Sequence, residues 1–148
     1  MPRTHFRGAK LMLFCGDQLL VYLRDEKPGL AFAGHWDLPG GGREGDESPE
    51  TCVLRETFEE FGLRLSPEDL RFAQTQMGFT QPPMLNWYFV AHMPAALSDE
   101  IKFGDEGQYW QLMTPAEFIA HPLGIPHLQT IVAEYLAQLK GTARASGN

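Results

Sequence analysis

The chain reads as an α/β protein in the α+β sense, with a mixed β-sheet covered by helices. Three observations predict this. Apolar runs of strand length flank a segment with helical spacing. Ser-Pro or Thr-Pro pairs mark helix starts at three places. A longer helical stripe closes the order strands, helix, strands, helix.

Taken in order, Lys10–Cys15 and Gln18–Leu23 form a predicted hairpin about Gly16-Asp17. A loop with Pro28 follows, then a short strand at His35–Leu38. Pro39 stops that strand, and Gly40-Gly41-Gly42 predicts a permissive turn. Ser48 caps a helix that has Pro49 at its first position and Gly62 at its end. Ser66-Pro67 starts one further turn. Strands are predicted at Leu70–Phe79, Met84–His92 and Gln108–Met113, with Gln81-Pro82-Pro83 dividing the first two. Thr114-Pro115-Ala116-Glu117 is a capping box. Pro126–Lys140 is the last helix, with Leu128, Ile131, Val132, Tyr135, Leu136 and Leu139 as its core stripe. Residues 1–7 and 141–148 read as loose ends of a single domain spanning 1–148.

Bulk properties narrow the function. The 148 residues can enclose a sizeable core, and 43% hydrophobic content argues against disorder. A net charge of -7 argues against binding duplex nucleic acid, which needs a basic footprint. It does not exclude a phosphate substrate, because a bound cation inverts the local field. Cys15 and Cys52 lie outside any CxxC or metal-ligand spacing, which fits buried thiols in a reducing compartment. The first apolar run, Leu11–Cys15, is too short for a membrane span. The expectation is a cytoplasmic protein with no membrane partner.

One segment needs explanation. Seven carboxylates lie between Glu44 and Glu60, with only Arg43 and Arg55 to balance them. On a helical wheel, Leu54, Phe58 and Phe61 form one face, and Glu56, Glu59 and Glu60 cluster on the opposite side. Three glutamates at i, i+3 and i+4 repel and raise each other's pKa. A divalent cation with oxygen ligands removes that conflict, and Mg²⁺ characteristically shares its shell with substrate phosphates.

The surroundings sharpen this. Gly41, Glu47, Arg55, Glu56, Glu59, Glu60 and Gly62 match G-x5-E-x7-R-E-U-x-E-E-x-G-U, the Nudix box, with Leu63 in its last aliphatic place. Seven such matches arise by chance on the order of once in a million chains of this length. Thr57 departs from the pattern, standing where an aliphatic residue is usual, at the edge of the packed face. The chain resembles a Nudix hydrolase of MutT-like layout, and the resemblance implies the Nudix-type α/β/α sandwich with a mixed sheet.

The resemblance also implies roles. Glu56, Glu59 and Glu60 would hold Mg²⁺, with Mn²⁺ as a second choice, and the Gly40 carbonyl would add a ligand. Gly41 would let the backbone approach phosphate. Arg55 would orient a glutamate, Glu47 would support the loop, and Gly62 would serve structure alone. The general base would be Glu56 or, outside the box, Glu106, which would also bind metal. Arg24 would contact substrate. Phe79, Trp87, Tyr88 and Trp110 could stack a base but read better as core, and His121 and His127 show no ligand pattern. The implied reaction is hydrolysis of a phosphoanhydride in a nucleoside diphosphate linked to another moiety, with nucleoside triphosphates as one subclass. The alternatives are a non-catalytic nucleotide sensor of the same fold and a plain Ca²⁺-binding loop. The sensor reading is weakened by the complete box, the Ca²⁺ loop by the absence of EF-hand spacing. The family also leaves room for a homodimer.

Overall fold

The computed structural model describes residues 5–78 and 81–146. Seven strands form one mixed sheet: β1 (Phe6–Cys15), β2 (Gln18–Leu23), β3 (Trp36–Asp37), β4 (Gly40–Gly42), β5 (Arg71–Met77), β6 (Leu85–Met93) and β7 (Tyr109–Met113). The main order is β3-β2-β1-β6-β5, with β4 paired to β1 and β7 to β2. β1 and β6 run parallel, and the other pairs are antiparallel. Three helices cover the sheet: α1 (Pro49–Phe61), α2 (Pro115–Ala120) and α3 (Pro126–Ser146).

The central strands are apolar on both faces because both faces are covered. Met12 and Phe14 of β1 join Leu128, Ile131 and Val132 of α3 in one buried cluster. Leu11 and Leu13, which alternate with them, join Val53 and Phe61 of α1 in the other. The result is the expected α/β/α sandwich. Trp87 and Tyr88 are buried in opposite clusters, as strand neighbours should be.

Several boundaries differ from the sequence reading. β1 begins at Phe6, inside the stretch expected to be loose. Phe6 is buried, pairs with Leu85, and lies under the Arg43 guanidinium at 4.7 Å. At the other end, α3 continues to Ser146, through residues that include Ala143 and Ala145, both strong helix formers. The Gly40–Gly42 turn is instead a short strand on β1. A 3₁₀ turn at Ala95–Glu100 carries no strong sequence signal. Phe79 lies outside the described residues.

The main correction concerns α1. Its start and stop match expectation: the Ser48 hydroxyl accepts from the Thr51 N–H, and Gly62 takes the left-handed conformation with φ 68°. Its buried face, however, is rotated. Val53, Thr57 and Glu60 form the i, i+4, i+7 stripe that meets the sheet, while Phe58 is 39% exposed beneath Arg64. Thr57 is fully buried, not at an edge. Its hydroxyl donates to the Val53 carbonyl at 2.7 Å, which satisfies its polar atom.

This rotation predicts an order of stabilities. Phe61→Ala should lower the unfolding free energy by about 3–5 kcal/mol in urea titration, and Phe58→Ala by less than about 1 kcal/mol. Comparable losses at the two positions would restore the face read from residue type.

Candidate functional site

α1 lies against β4, a strand made only of glycine. A side chain at Gly41 would place its Cβ 2.6 Å from the Glu56 carboxylate, so glycine here lets helix and strand approach closely. Gly40 has φ 129°, and its N–H donates to Glu60 Oε1 at 2.9 Å.

Arg55 organises the acidic segment. Its guanidinium meets Glu47 at 2.6 and 3.0 Å, Glu56 at 3.0 Å and Glu59 at 3.1 Å, and donates to the Gly42 carbonyl at 2.9 Å. The loop before α1 is thus tied to the helix through one planar fork. The Arg55 hydrogen bonds hold the Glu47 carboxyl below its ordinary value, assisted by the Glu44 N–H.

Glu56 and Glu60 behave differently. Burial raises the Glu56 carboxyl, against the opposing pull of Arg55. Burial pushes Glu60 up to about 8, although Lys10 and the Gly40 N–H oppose it. Glu60 is therefore largely protonated at neutral pH when no cation is near. Among the described residues, no three acidic, histidine or cysteine side chains converge closely enough to hold an ion as they stand. The reason is local: Arg55 draws Glu56 and Glu59 to itself, and Glu60 turns to Gly40. All three, with Glu44, Asp105 and Glu106, nevertheless line one cavity of about 340 Å³.

Asp105 and Glu106 arrive there through the end of α1. The Lys102 N–H donates to the Phe61 carbonyl and the Gly104 N–H to the Glu60 carbonyl, each at 2.8 Å. These bonds satisfy carbonyls that a helix end otherwise leaves open. The loop then meets β2, with the Gln108 N–H on the Leu23 carbonyl at 2.8 Å. Glu106 consequently lies in the wall between the acidic cavity and a second one of about 210 Å³, which Arg24 and Lys27 also line.

Arg24 is anchored rather than loose. It pairs with buried Asp37 at 2.9 Å and donates to the Ala31 carbonyl at 2.9 Å. Burial alone would raise the Asp37 carboxyl, but Lys10, Arg24 and the Leu38 N–H hold it below its ordinary value. The Tyr22 hydroxyl donates to it at 3.0 Å. Lys10 spans from Asp37 at 3.0 Å to the Gly40 carbonyl at 3.3 Å, the oxygen expected to face a metal.

The structure thus gathers Arg55, Glu47, Glu56, Glu59, Glu60, Gly40, Gly41 and Glu106 around one region, with Arg24 behind it. Gly62 caps the helix. Lys10, Asp37, Glu44 and Asp105 were missed. The signal for the first two was present: each is a lone charge within an apolar strand. The carboxylate-rich cavity suits a hard divalent cation, which favours oxygen ligands.

The NUDIX domain model matches residues 5–135. Among curated proteins, a MutT-like protein of Streptomyces ambofaciens is 54% identical over 37 residues, covering 25% of this chain and 24% of that protein. An RNA pyrophosphohydrolase of Acidiphilium cryptum is 44% identical over 62 residues, covering 42% and 37%. Each match therefore spans well under half of the relative's own length. The MutT protein of Methanosarcina mazei has the same fold, with TM-score 0.76 at 21% identity, covering 90% of this chain and 94% of that one.

The burial of Glu60 predicts a pH dependence. Its folded-state value of about 8 lies above the ordinary 4.5, so the folded chain holds an extra proton between those values. Without added metal, stability should fall as pH rises through this window, by up to ~1.4 kcal/mol per pH unit. Urea titrations from pH 5 to 8.5 should show this slope, and Glu60→Gln should remove it. A stability that rises across the window in both proteins would contradict the assignment.

Proposed function

The chain belongs to the Nudix family, and we propose that it is a divalent-metal-dependent hydrolase of a phosphoanhydride in a nucleotide-type diphosphate. One observation carries the reading: Glu56, Glu59 and Glu60 of the box, with Glu106, line a single acidic cavity beside a glycine strand. The preferred substrate is a nucleoside diphosphate linked to another moiety, with nucleoside triphosphates as the first subclass to test.

Glu56, Glu59 and Glu60 would hold Mg²⁺, or Mn²⁺ in its place. The bound cation would offset phosphate charge and lower the pKa of water. The remaining work belongs to the chain. Arg55 positions Glu56 and Glu59 and keeps Glu47 against the loop. The β4 glycines let phosphate oxygens approach the backbone closely. Lys10 adds positive charge on the Gly40 side. Arg24 and Lys27 supply more in the second cavity.

Glu106 is the better-placed general base. Glu56 spends a lone pair on Arg55, whereas Glu106 stands between the two cavities. The MutT-like and RNA pyrophosphohydrolase relatives support chemistry at a pyrophosphate bond.

The test is a hydrolysis screen with and without Mg²⁺, using nucleoside triphosphates, dinucleoside polyphosphates, nucleotide sugars and ADP-ribose. Metal-dependent turnover is expected, and Glu60→Gln should abolish it. Nucleotide binding with no turnover across the panel would favour a sensor instead. On an active substrate, Glu106→Gln should lower kcat by about 100-fold or more, with the Mg²⁺-induced rise in Tm retained. Glu59→Gln should reduce that rise. A kcat loss confined to Glu56→Gln would move the base to Glu56.

A further inference from the structure

The chain that carries Glu106 is tied down on both sides, by different means. Before Glu106, the Lys102 and Gly104 N–H groups bind the end of α1 through backbone alone. After it, two side chains take part. The Gly107 N–H donates to Asp25 Oδ2 at 3.3 Å, and Gln108 Nε2 donates to the Arg24 carbonyl at 2.9 Å. The pairing of β2 with β7 stops at Leu23 and Tyr109. With the Gln108 N–H on the Leu23 carbonyl, these bonds carry the attachment past the sheet, up to the neighbour of Glu106.

The residues that receive this chain are themselves held. The Arg24 N–H donates to the His35 carbonyl at 2.9 Å, and the Asp25 carbonyl accepts from the Gly34 N–H at 3.1 Å. The Arg24 guanidinium is fixed on buried Asp37. On the other side, Gly107 is pressed onto β2. A Cβ there would lie 2.9 Å from the Tyr22 ring and 3.0 Å from the Phe103 ring. The residue after Glu106 has no room to shift inward, and Asp25 opposes its movement outward.

Glu106 has no such support of its own. It is exposed, and among the described residues its carboxylate makes no hydrogen bond or ion pair. A carboxylate with open lone pairs can accept a proton, but its place is set by its backbone alone. Placement matters, because a shift of about 1 Å can cost about 100-fold in rate. The plain alternative for Asp25 is its contact with Lys27. That ammonium lies 3.6 Å from Asp25 Oδ2, and its side chain is 74% exposed. A loose surface pair of this kind contributes little.

We propose that Asp25 and Gln108 are positioning residues, a clasp that fixes the chain just after Glu106 to the end of β2 and so sets the Glu106 carboxylate in register with Arg24. Gln108 does this through the Arg24 carbonyl, which belongs to the same residue as the cation of the second cavity. Asp25 does it through the Gly107 N–H, one residue from Glu106. The proposal rests on the hydrolase reading above, with Glu106 as the base. The clasp acts on the base and not on substrate affinity, because Asp37 holds the Arg24 side chain independently.

The test joins amide hydrogen exchange to steady-state kinetics on the intact protein. In Asp25→Ala the Gly107 amide should exchange about tenfold faster while the Lys102 amide, bound to α1, is unchanged. On an active substrate, Asp25→Ala and Gln108→Ala should each lower kcat about tenfold with KM within about twofold. Asp25→Asn keeps the acceptor oxygen and loses the charge, so it should restore most of both effects. In a Glu106→Gln background the same alanine changes should cost less than about twofold, because their target is gone. Gln108 is exposed, so its variant keeps the test decisive if Asp25→Ala folds poorly. Unchanged kcat in both alanine variants, or an undiminished loss in the Glu106→Gln background, would overturn the clasp. So would Asp25→Asn behaving like Asp25→Ala, which would assign the effect to charge. If the unaltered protein turns over no substrate, the hydrolase reading falls. Exchange then decides the clasp alone: faster exchange at Gly107 in Asp25→Ala supports it as an anchor, and unchanged exchange overturns it.

Discussion

The acidic segment depends on the Arg55 guanidinium. Four carboxylates, those of Glu44, Glu47, Glu56 and Glu59, lie within 3.5 Å of it, and it also caps the Gly42 carbonyl. No single ammonium could make this set of contacts, because they need a planar fork with donors on both edges. The fork joins the loop after β4 to the exposed side of α1, and so holds the carboxylates beside the glycine strand. It supplies one positive charge against four negative ones. Such an imbalance is costly for folding alone, and the divalent cation proposed above would offset it.

Glu60 lies beyond the reach of Arg55. It sits on the same helical stripe as Val53 and Thr57, so the packing that seats α1 also buries a carboxyl. Its protonation is the chain's own answer to that burial. The two halves of the site thus handle charge differently: Arg55 compensates the outer glutamates, and a proton compensates the inner one. A divalent cation can displace the proton and recruit the outer glutamates, because it offers more charge at shorter range than either.

Much of this was legible in the sequence. The helix limits followed from Ser48-Pro49 and Gly62, and the box residues from their spacing. The helix-covered mixed sheet followed from the order of strands and helices. What was not legible came from tertiary context. Phe58 and Phe61 look equivalent on a wheel, yet only contact with β1 and β4 decides that Phe61 is buried and Phe58 exposed. Thr57 looked marginal because it is polar where an aliphatic residue is usual, yet its hydroxyl is satisfied by the Val53 carbonyl and the packing of α1 buries it completely. Lys10 and Asp37 come together across 27 residues of sequence, and no local pattern encodes that pairing. Glu106 was nameable only by its place before a strand. Its location follows from two backbone hydrogen bonds onto the end of α1.

The most direct test of this account is calorimetric titration of the protein with Mg²⁺ at pH 7 in two buffers of different ionisation enthalpy. Such a pair of titrations counts the protons released as the ion binds. Binding should release about one proton per ion, and Glu60→Gln should abolish the release. Binding with no release in the unaltered protein, or no binding at millimolar Mg²⁺, would contradict the claim that a cation completes the acidic segment by displacing the Glu60 proton.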